Sequence, residues 1–261
     1  MAQTIPPSTS PDNPRGPVTG TARTARKKQK FFLLDLYGTA VGKKYVMAIT
    51  GIIGIGYIVA HMVGNLKMYL GKESDGVYAL DHYGEFLREL LVPILPRTYT
   101  LWGLRLVLIA AVILHLHAAY SLTVMNHRAR PVKYQSARDY QIANFASRTM
   151  RWTGIIVLLF IIWHLLDLTG GQLNPDFVRG ATYRNVDASL SRVPVAIFYI
   201  LANLALGVHL YHGTWSLFQS IGWANPRFAE WRRYLATGLA TVVVVGNVSF
   251  PVAVLAGIVE I

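Results

Sequence analysis

Residues 111–120 read AVILHLHAAY and carry two histidines, His115 and His117, inside a long apolar run. Between residues 99 and 126 only Arg105 adds a charge. A run of about 20 predominantly apolar residues is long enough to cross a bilayer as a helix. Imidazole is costly in hydrocarbon unless it faces the interior of a helix bundle and finds a partner there. The stretch therefore predicts a membrane-spanning helix with buried histidines that have a structural or functional role.

The whole chain shares this apolar character. Its 261 residues are 53% apolar and only 15% charged, which is unusual for a soluble domain. Four more apolar runs lie at roughly 44–70, 150–170, 193–221 and 235–258. The predicted fold class is all-α, a polytopic membrane bundle of five transmembrane helices. Such a chain has no long soluble domain in which a hydrolase or kinase site could form.

The remaining segments are short and polar. Residues 1–30 are rich in Pro, Ser, Thr and Gly and are expected to form a disordered basic tail before a helical membrane domain at 31–261. This tail lacks the apolar core of a cleaved signal peptide. Residues 82–95, HYGEFLRELLVPIL, predict a short amphipathic helix at the membrane interface. The chain has no cysteine, so it forms no disulfide and supplies no thiolate to a metal.

The distribution of basic residues predicts the orientation. The net charge is +12, but the basic residues cluster beside the apolar spans, which indicates membrane topology rather than nucleic-acid binding. Lys and Arg number eight in residues 1–44, six in 127–151 and three in 222–234, against seven in the other two loops. These three segments should therefore lie inside, with the amino terminus inside and the carboxyl terminus outside.

Each of the first four spans carries at least one histidine, and the fifth carries none. Helical rise places His61 at about 25 Å and His164 at about 24 Å above the inner side, with His117 at about 13 Å and His209 at about 18 Å. The four histidines thus fall into an outer and an inner pair. Facing histidine pairs in a bundle are typical of b-type haem ligation. Spacing alone does not decide between His115 and His117, or between His209 and His212.

Several long motifs resemble one known family. They are GKKYVMAITG (42–51), HMVGNL (61–66), LHAAYSL (116–122), NHRARPVKY (126–134), SRTMRWTGIIVLLFIIWHLLDLT (147–169), GVHLYHGTWSLFQSIG (207–222) and PVAVLAG (251–257). In this order they resemble the five-span, dihaem cytochrome b membrane anchor of succinate:quinone oxidoreductases, which comprise succinate dehydrogenase and fumarate reductase. The resemblance extends from about Gly42 to Gly257.

The resemblance implies two haem b groups and assigns their ligands. It selects His61 and His164 for the outer haem, and His117 and His209 for the inner haem. His115 and His212 would then be packing residues, with His212 able to reach a propionate. Arg105 is the candidate partner of the outer propionates, and the inner candidates are Ser147, Arg148, Arg151 and Ser216.

The resemblance also implies partners and a quinone, with menaquinone expected. The chain would anchor a flavoprotein (FAD) subunit and an iron–sulfur subunit in a bacterial inner membrane, in contact with lipid, and the whole complex could form a homotrimer. The dicarboxylate active site would lie on the partners. The outer candidates for quinone proton chemistry are His82, Tyr83, Glu85, Asp167 and Asp81. On the inner side, Asp35, Tyr37 and Lys43 lie near the expected docking surface.

Two kinds of alternative remain at this point. An anchor of the same complex could have lost one or both haems or replaced them with another redox centre. A transporter with a histidine proton relay is the alternative from another class, and it should show broken helices or an inverted repeat. A purely structural scaffold without redox centres is the third possibility.

Overall fold

The computed structural model describes residues 32–129, 144–223 and 225–259. Within these ranges the chain is helical, and strand pairing is limited to one isolated bridge between Lys72 and Tyr78. The α-helices are α1 (Phe32–Gly38), α2 (Ala40–Asn65), α3 (Ala79–Arg88), α4 (Tyr99–Ala129), α5 (Asn144–His164), α6 (Thr182–Leu190), α7 (Val193–Ser220) and α8 (Ala229–Leu255). The predicted disordered tail at 1–30 lies outside the described residues.

Among the described residues, five helical segments are long and apolar enough to cross a membrane, as predicted. They are Ala40–Leu70, Tyr99–Ala129, Thr149–Thr169, Val193–Ser220 and Pro226–Leu255. The last begins before the predicted residue 235, because α8 continues through the polar residues Arg232 and Arg233 beyond the apolar run. Large exposed apolar side chains such as Ile109 and Val245 lie along the spans, as expected for a surface that faces lipid.

The short connecting helices differ more from the predictions. The amphipathic helix expected over 82–95 is α3, which begins at Ala79 and ends at Arg88. Pro93 and Pro96 follow this end, and proline does not continue a helix. The helices α1 and α6 were not predicted, because segments of 7 and 9 residues are too short for a clear periodic pattern.

The architecture repeats once along the chain. The helix α2 is followed by a 3-10 turn (Leu66–Leu70), the short helix α3 and the span α4. In the same order, α5 is followed by a π-helical turn (Leu165–Thr169), the short helix α6 and the span α7. The two short helices meet, because the rings of Tyr78 and Tyr183 stack with their centres 3.7 Å apart. The backbone N–H of Tyr183 also donates to Asp81, 2.9 Å away.

Packing joins the two halves through α7 and α8. The span α2 packs on α4, α5 packs on α7, and α7 packs on α8. One apolar core lies at the end of the bundle that holds α3 and α6, and it includes Met68, Tyr183 and Phe250. A second core between α2, α7 and α8 includes Met62 and Val243. We call the opposite end, where α2, α5 and α8 begin, the basic end.

We predict that close contact between α7 and α8 limits the size of residue 207. A Cβ atom at Gly207 would collide with the Val244 side chain. Gly207→Ala should therefore destabilise the bundle by about 1–3 kcal/mol, the usual cost of overpacking. The measurement is the thermal unfolding of the purified complex. Gly238→Ala on α8 is the control, because its Cβ atom would meet nothing within 4 Å. An equal effect of both variants would contradict this packing.

Candidate functional site

The first histidine pair joins α2 and α5. The rings of His61 and His164 face each other with their centres 5.8 Å apart and their planes at 84°. An aromatic ring precedes each histidine by one helical turn. Tyr57 stacks on His61 at 5.3 Å between ring centres, and Phe160 lies 5.7 Å from His164. The predicted outer histidines are therefore brought together by the fold.

A chain of polar contacts leads away from His164. The Tyr199 hydroxyl lies 3.4 Å from Nδ1 of His164 and donates its hydrogen to Asp167 Oδ2, 2.8 Å away. Since that hydrogen is used, the Tyr199 oxygen is available to accept a hydrogen from His164. A hydrogen bond at Nδ1 fixes the tautomer of an imidazole and leaves Nε2 free to bind a metal.

Asp167 is the centre of this network and is fully buried, with 0% exposure. It accepts hydrogen bonds from Ser189 at 2.5 Å and Arg192 at 2.8 Å in addition to Tyr199. The π-helical turn after α5 contains Asp167, so an irregular turn directs this carboxylate toward α6 and α7. The predicted contact between Asp167 and a quinone is not supported, because a buried, ion-paired carboxylate is closed to such a ligand.

The second histidine pair joins α4 and α7. The rings of His115 and His209 lie with their centres 6.5 Å apart and their planes at 65°. His117, which the resemblance had selected, is exposed, and its ring stacks on Tyr37. Its Nδ1 is hydrogen-bonded to the Tyr37 hydroxyl. The structure thus corrects the predicted pairing, since residues two apart on a helix point to nearly opposite faces.

Threonine side chains hold both members of this second pair. Thr50 Oγ1 lies 3.0 Å from Nδ1 of His115, and Thr153 Oγ1 lies 3.5 Å from Nδ1 of His209. Each hydroxyl donates its own hydrogen to a backbone carbonyl one turn earlier in its helix. Each threonine oxygen is therefore an acceptor for the imidazole N–H. The two imidazoles share one tautomer, in which Nε2 carries the free lone pair.

A repeated motif underlies this arrangement, and sequence reasoning missed it. MAITG (47–51) on α2 and MRWTG (150–154) on α5 both read M-x-x-T-G. His61 follows Thr50 by eleven residues, and His164 follows Thr153 by eleven. Eleven helical residues rise about 16 Å, so the two histidine pairs lie at two well-separated levels. A search for internal repeats would have found this signal.

The glycines of the repeated motif lie against the second pair. A Cβ atom on Gly154 would stand 3.4 Å from Cε1 of His209, and one on Gly51 would stand 3.9 Å from Cε1 of His115. Each ring therefore lies next to a glycine, where the neighbouring helix has no side chain. Small residues at this point let a histidine lie close to the neighbouring helix.

The donor sets fit a haem iron. Two imidazole nitrogens that each bind a shared metal at about 2 Å place the ring centres on the order of 6 Å apart. The separations of 5.8 Å and 6.5 Å bracket this value. Among the residues that the structure describes, no group of three or more His, Asp or Glu side chains could hold a bare metal ion. A porphyrin supplies the remaining four ligands of its iron, so facing pairs of histidines suffice.

The predicted propionate partners are spread between both ends. Arg105 on α4 is exposed, lies over the Trp102 ring and stands within electrostatic reach of the Tyr57 hydroxyl. At the basic end, Arg151 is exposed and Ser216 donates to the Gly213 carbonyl. His212 is buried beside Tyr211. The side chains of Ser147 and Arg148 lie outside the described part of the chain.

The inner groups that were expected near a docking surface form one cluster at the basic end. Lys43 Nζ donates to the Tyr37 backbone carbonyl at 2.7 Å and lies over the Tyr37 ring. Tyr37 in turn holds His117. Asp35 is exposed on α1. The contacts within this cluster explain the position of His117 without a role in metal binding.

The quinone candidates on α3 differ in whether their side chains already contact charged neighbours. Nε2 of His82 lies 2.9 Å from the Asp75 carboxylate, and Glu85 pairs with Arg88 and Arg97. The backbone N–H of Val77 lowers the pKa of Asp75, and His82 adds to this effect. Desolvation raises the pKa of Glu85, but the hydrogen bonds and charges of the two arginines outweigh it and lower the pKa.

Tyr83 is the candidate closest to the first histidine pair. Its ring lies so close to Gly64, three residues after His61, that a Cβ atom there would overlap it. The Tyr83 ring also lies 6.0 Å below the Lys67 ammonium group and 6.3 Å from the Phe86 ring. Tyr83 therefore links α3 directly to the helix that carries His61.

These features define a multi-pass helical membrane protein with two histidine pairs between its spans. A protein-family model described as the succinate dehydrogenase/fumarate reductase transmembrane subunit matches residues 125–248, from the end of α4 into α8. The match covers just under half of the chain and supports the resemblance noted in the sequence. No curated protein and no solved structure matches the chain. Transmembrane subunits of that family associate with the flavoprotein and iron–sulfur subunits of such a complex.

We predict that Asp167 is required for the stability of the α3–α6 end. Asp167→Ala leaves Arg192, Ser189 and Tyr199 without their shared acceptor. Removing one partner of a buried ion pair costs about 3–5 kcal/mol, and the 32% exposure of the Arg192 side chain places the expected loss near the lower limit. Thermal unfolding measures the loss. Asp176→Ala removes an exposed carboxylate from the same connection and should change little. Equal losses would contradict a special role for Asp167.

Proposed function

We propose that this chain is the dihaem cytochrome b anchor of a succinate:quinone oxidoreductase. The observation that supports this most strongly is the presence of two facing histidine pairs at two levels, contributed by four different spans. The family match supports the assigned reaction, and the two histidine pairs support the role in electron transfer. A histidine-relay transporter gains no support, because the family match and the paired donors both point to electron transfer.

The proposed ligands are His61 with His164 for one haem and His115 with His209 for the other. His115 replaces His117, because only His115 lies opposite His209. Thr50 and Thr153 hold the second pair in the tautomer that exposes Nε2. Tyr199 does the same for His164, with Asp167 as the acceptor behind it. Each haem, when bound, supplies a one-electron carrier within the bilayer, whereas the protein sets ligand geometry and basicity.

The direction of the chain in the membrane follows from its charge. With the basic end inside, the His115–His209 pair lies nearer the iron–sulfur subunit, and the His61–His164 pair lies near the outer side. We propose a bacterial inner-membrane location. The dicarboxylate reaction belongs to the partner subunits, since this chain supplies ligands and helices but no glycine-rich phosphate turn for FAD. A trimer of the complex is an assembly that this anchor could support.

The proposed electron acceptor or donor in the membrane is a quinone, with menaquinone expected. Tyr83 is the best placed of the predicted groups, because it packs on α2 one turn beyond His61 and carries a hydroxyl that can exchange a proton. His82 contacts Asp75, and Glu85 pairs with two arginines, so these side chains would position α3 rather than transfer protons directly. Arg105 is the proposed cationic partner for the propionates of the outer haem.

The choice between His115 and His117 gives a direct test. His115→Ala should reduce the haem content from two per chain to one, because only one axial ligand of the inner haem remains. His117→Ala should leave both haems bound and serves as the matched control two residues away. The measurement is a pyridine haemochrome assay with reduced-minus-oxidised spectra on the assembled complex. Loss of a haem from the His117 variant alone would contradict the proposed pairing, and two variants without any haem signal would contradict the dihaem function.

The threonine hydrogen bonds give a second test. An acceptor at Nδ1 raises the basicity of the ligand and stabilises the oxidised iron, so Thr50→Val should raise the midpoint potential of one haem. The expected rise is on the order of 60 mV, which corresponds to a tenfold change in a one-electron equilibrium. Thr153→Val should act on the same haem. Thr50→Ser should restore the potential, because it keeps the hydroxyl. Redox titration would contradict the assignment if the two valine variants shifted different haems.

A further inference from the structure

An arginine without a hydrogen-bond partner lies buried at the basic end. Arg232, near the start of α8, is 5% exposed. Within the described ranges its Nε and Nη1 atoms have no hydrogen-bond partner, and its guanidinium lies over the Trp215 ring at 5.2 Å from the ring centre. Glu230 is exposed and makes no ion pair with Arg232 within the described residues. A buried, unpaired guanidinium is costly, and contact with one aromatic ring does not satisfy its two N–H groups.

Arg232 also lines a cavity between the end of α7 and the start of α8. The cavity has a volume of about 560 Å³, and its other walls are Phe218, Gly222, Trp223, Asn225 and Phe228, with Trp231. Its lining is mostly apolar and aromatic. The rings of Phe218 and Trp231 pack edge to face at 5.6 Å, while Trp223 and Trp231 are more than half exposed. The cavity therefore opens toward the surroundings of the helix bundle.

The turn between α7 and α8 forms this cavity. Gly222 ends α7 with a φ of +84°, which glycine adopts without strain. The chain then turns back so that the Trp223 N–H donates to the Phe218 carbonyl at 2.8 Å. Asn225 caps the next turn by accepting from the Arg227 N–H at 2.9 Å. The backbone is thus fixed by its own hydrogen bonds, and the free donors of Arg232 are not needed for it.

We infer that this cavity binds the phosphate group of an anionic phospholipid. Nε and one terminal nitrogen of a guanidinium form a planar fork that matches two oxygens of a phosphate. Tryptophan rings at the mouth are typical of the headgroup level of a membrane, where a lipid would place its glycerol and the first part of its chains. Arg227 and Arg233 are exposed nearby and add to the attraction for an anionic headgroup. A carboxylate of a partner subunit would satisfy Arg232 but would leave the aromatic cavity unfilled.

The test measures phospholipid that stays with the whole purified complex after washing in mild detergent. The wild-type complex should retain about one anionic phospholipid per chain at this site, seen by native mass spectrometry and by lipid phosphorus. Arg232→Gln should reduce the retention about tenfold, because the charged fork is lost. Arg233→Gln removes the same charge from an exposed neighbour and should retain the lipid. Arg232→Lys keeps the charge without the fork and should fall between them, which provides a reading if the glutamine variant does not assemble.

Delipidated wild-type complex distinguishes the source of the phosphate. Phosphatidylglycerol should raise its thermal unfolding temperature, whereas phosphatidylcholine and inorganic phosphate should not, because the site combines a cationic fork with an apolar wall. A full shift by inorganic phosphate would indicate a free-anion site and overturn the lipid assignment. Equal lipid retention in the Arg232→Gln and wild-type complexes, or no retained anionic lipid in the wild type, would also overturn it. None of these readings depends on haem content, so they are separate from the proposed electron transfer.

Discussion

Hydrogen bonding at the Nδ1 atoms of buried imidazoles is the interaction on which this bundle depends. An imidazole inside a membrane needs a partner, and a neutral one presents one donor and one acceptor. His115 and His209 give their donors to threonines that have already spent their own hydrogens on the helix backbone. The acceptor nitrogen of each ring, Nε2, then keeps its lone pair free. The same bonds that make burial tolerable therefore also prepare the rings as metal ligands.

The two histidine pairs are supported differently. The pair on α4 and α7 is held by neutral hydroxyls on both sides, whereas His164 is connected through Tyr199 to the charged group Asp167. Negative charge behind a ligand stabilises the oxidised form of the metal more than a neutral hydroxyl does. Within the described part of the chain His61 has no such carboxylate and instead stacks on Tyr57. The electrostatic surroundings of the two histidine pairs therefore differ, since a buried carboxylate lies behind one pair and neutral hydroxyls lie behind the other.

Much of the fold could be predicted, because long apolar runs have few alternatives in a membrane. The five spans agree with the predicted ranges, with the largest difference at the start of α8. The short helices α1 and α6 were not predicted, because neither is long enough to show a clear apolar periodicity. Tertiary contacts such as the Tyr78–Tyr183 stack at α6 are not visible in the sequence. The pair His61 and His164 was found by depth alone. His115 was not selected, because depth in the membrane does not distinguish it from His117, two residues away. The contact with Thr50 shows which of the two rings faces the bundle interior. The free guanidinium of Arg232 was also beyond sequence reasoning, since nothing in the sequence shows that its neighbour Glu230 turns away.

The M-x-x-T-G repeat and the repeated order of helices make the two halves of this polypeptide comparable to the two subunits of an isologous dimer. In a true homodimer, every residue near the symmetry axis would appear twice, and a substitution favourable on one side would be imposed on the other. Two halves within a single chain are free of that constraint, because each position can be substituted separately. Arg105 and Tyr199 each precede the inner histidine of their own half by ten residues, yet one is a cation and the other a phenol. The two halves of one chain can therefore carry different groups at corresponding positions, and α8, which follows the second half, contributes the buried Arg232.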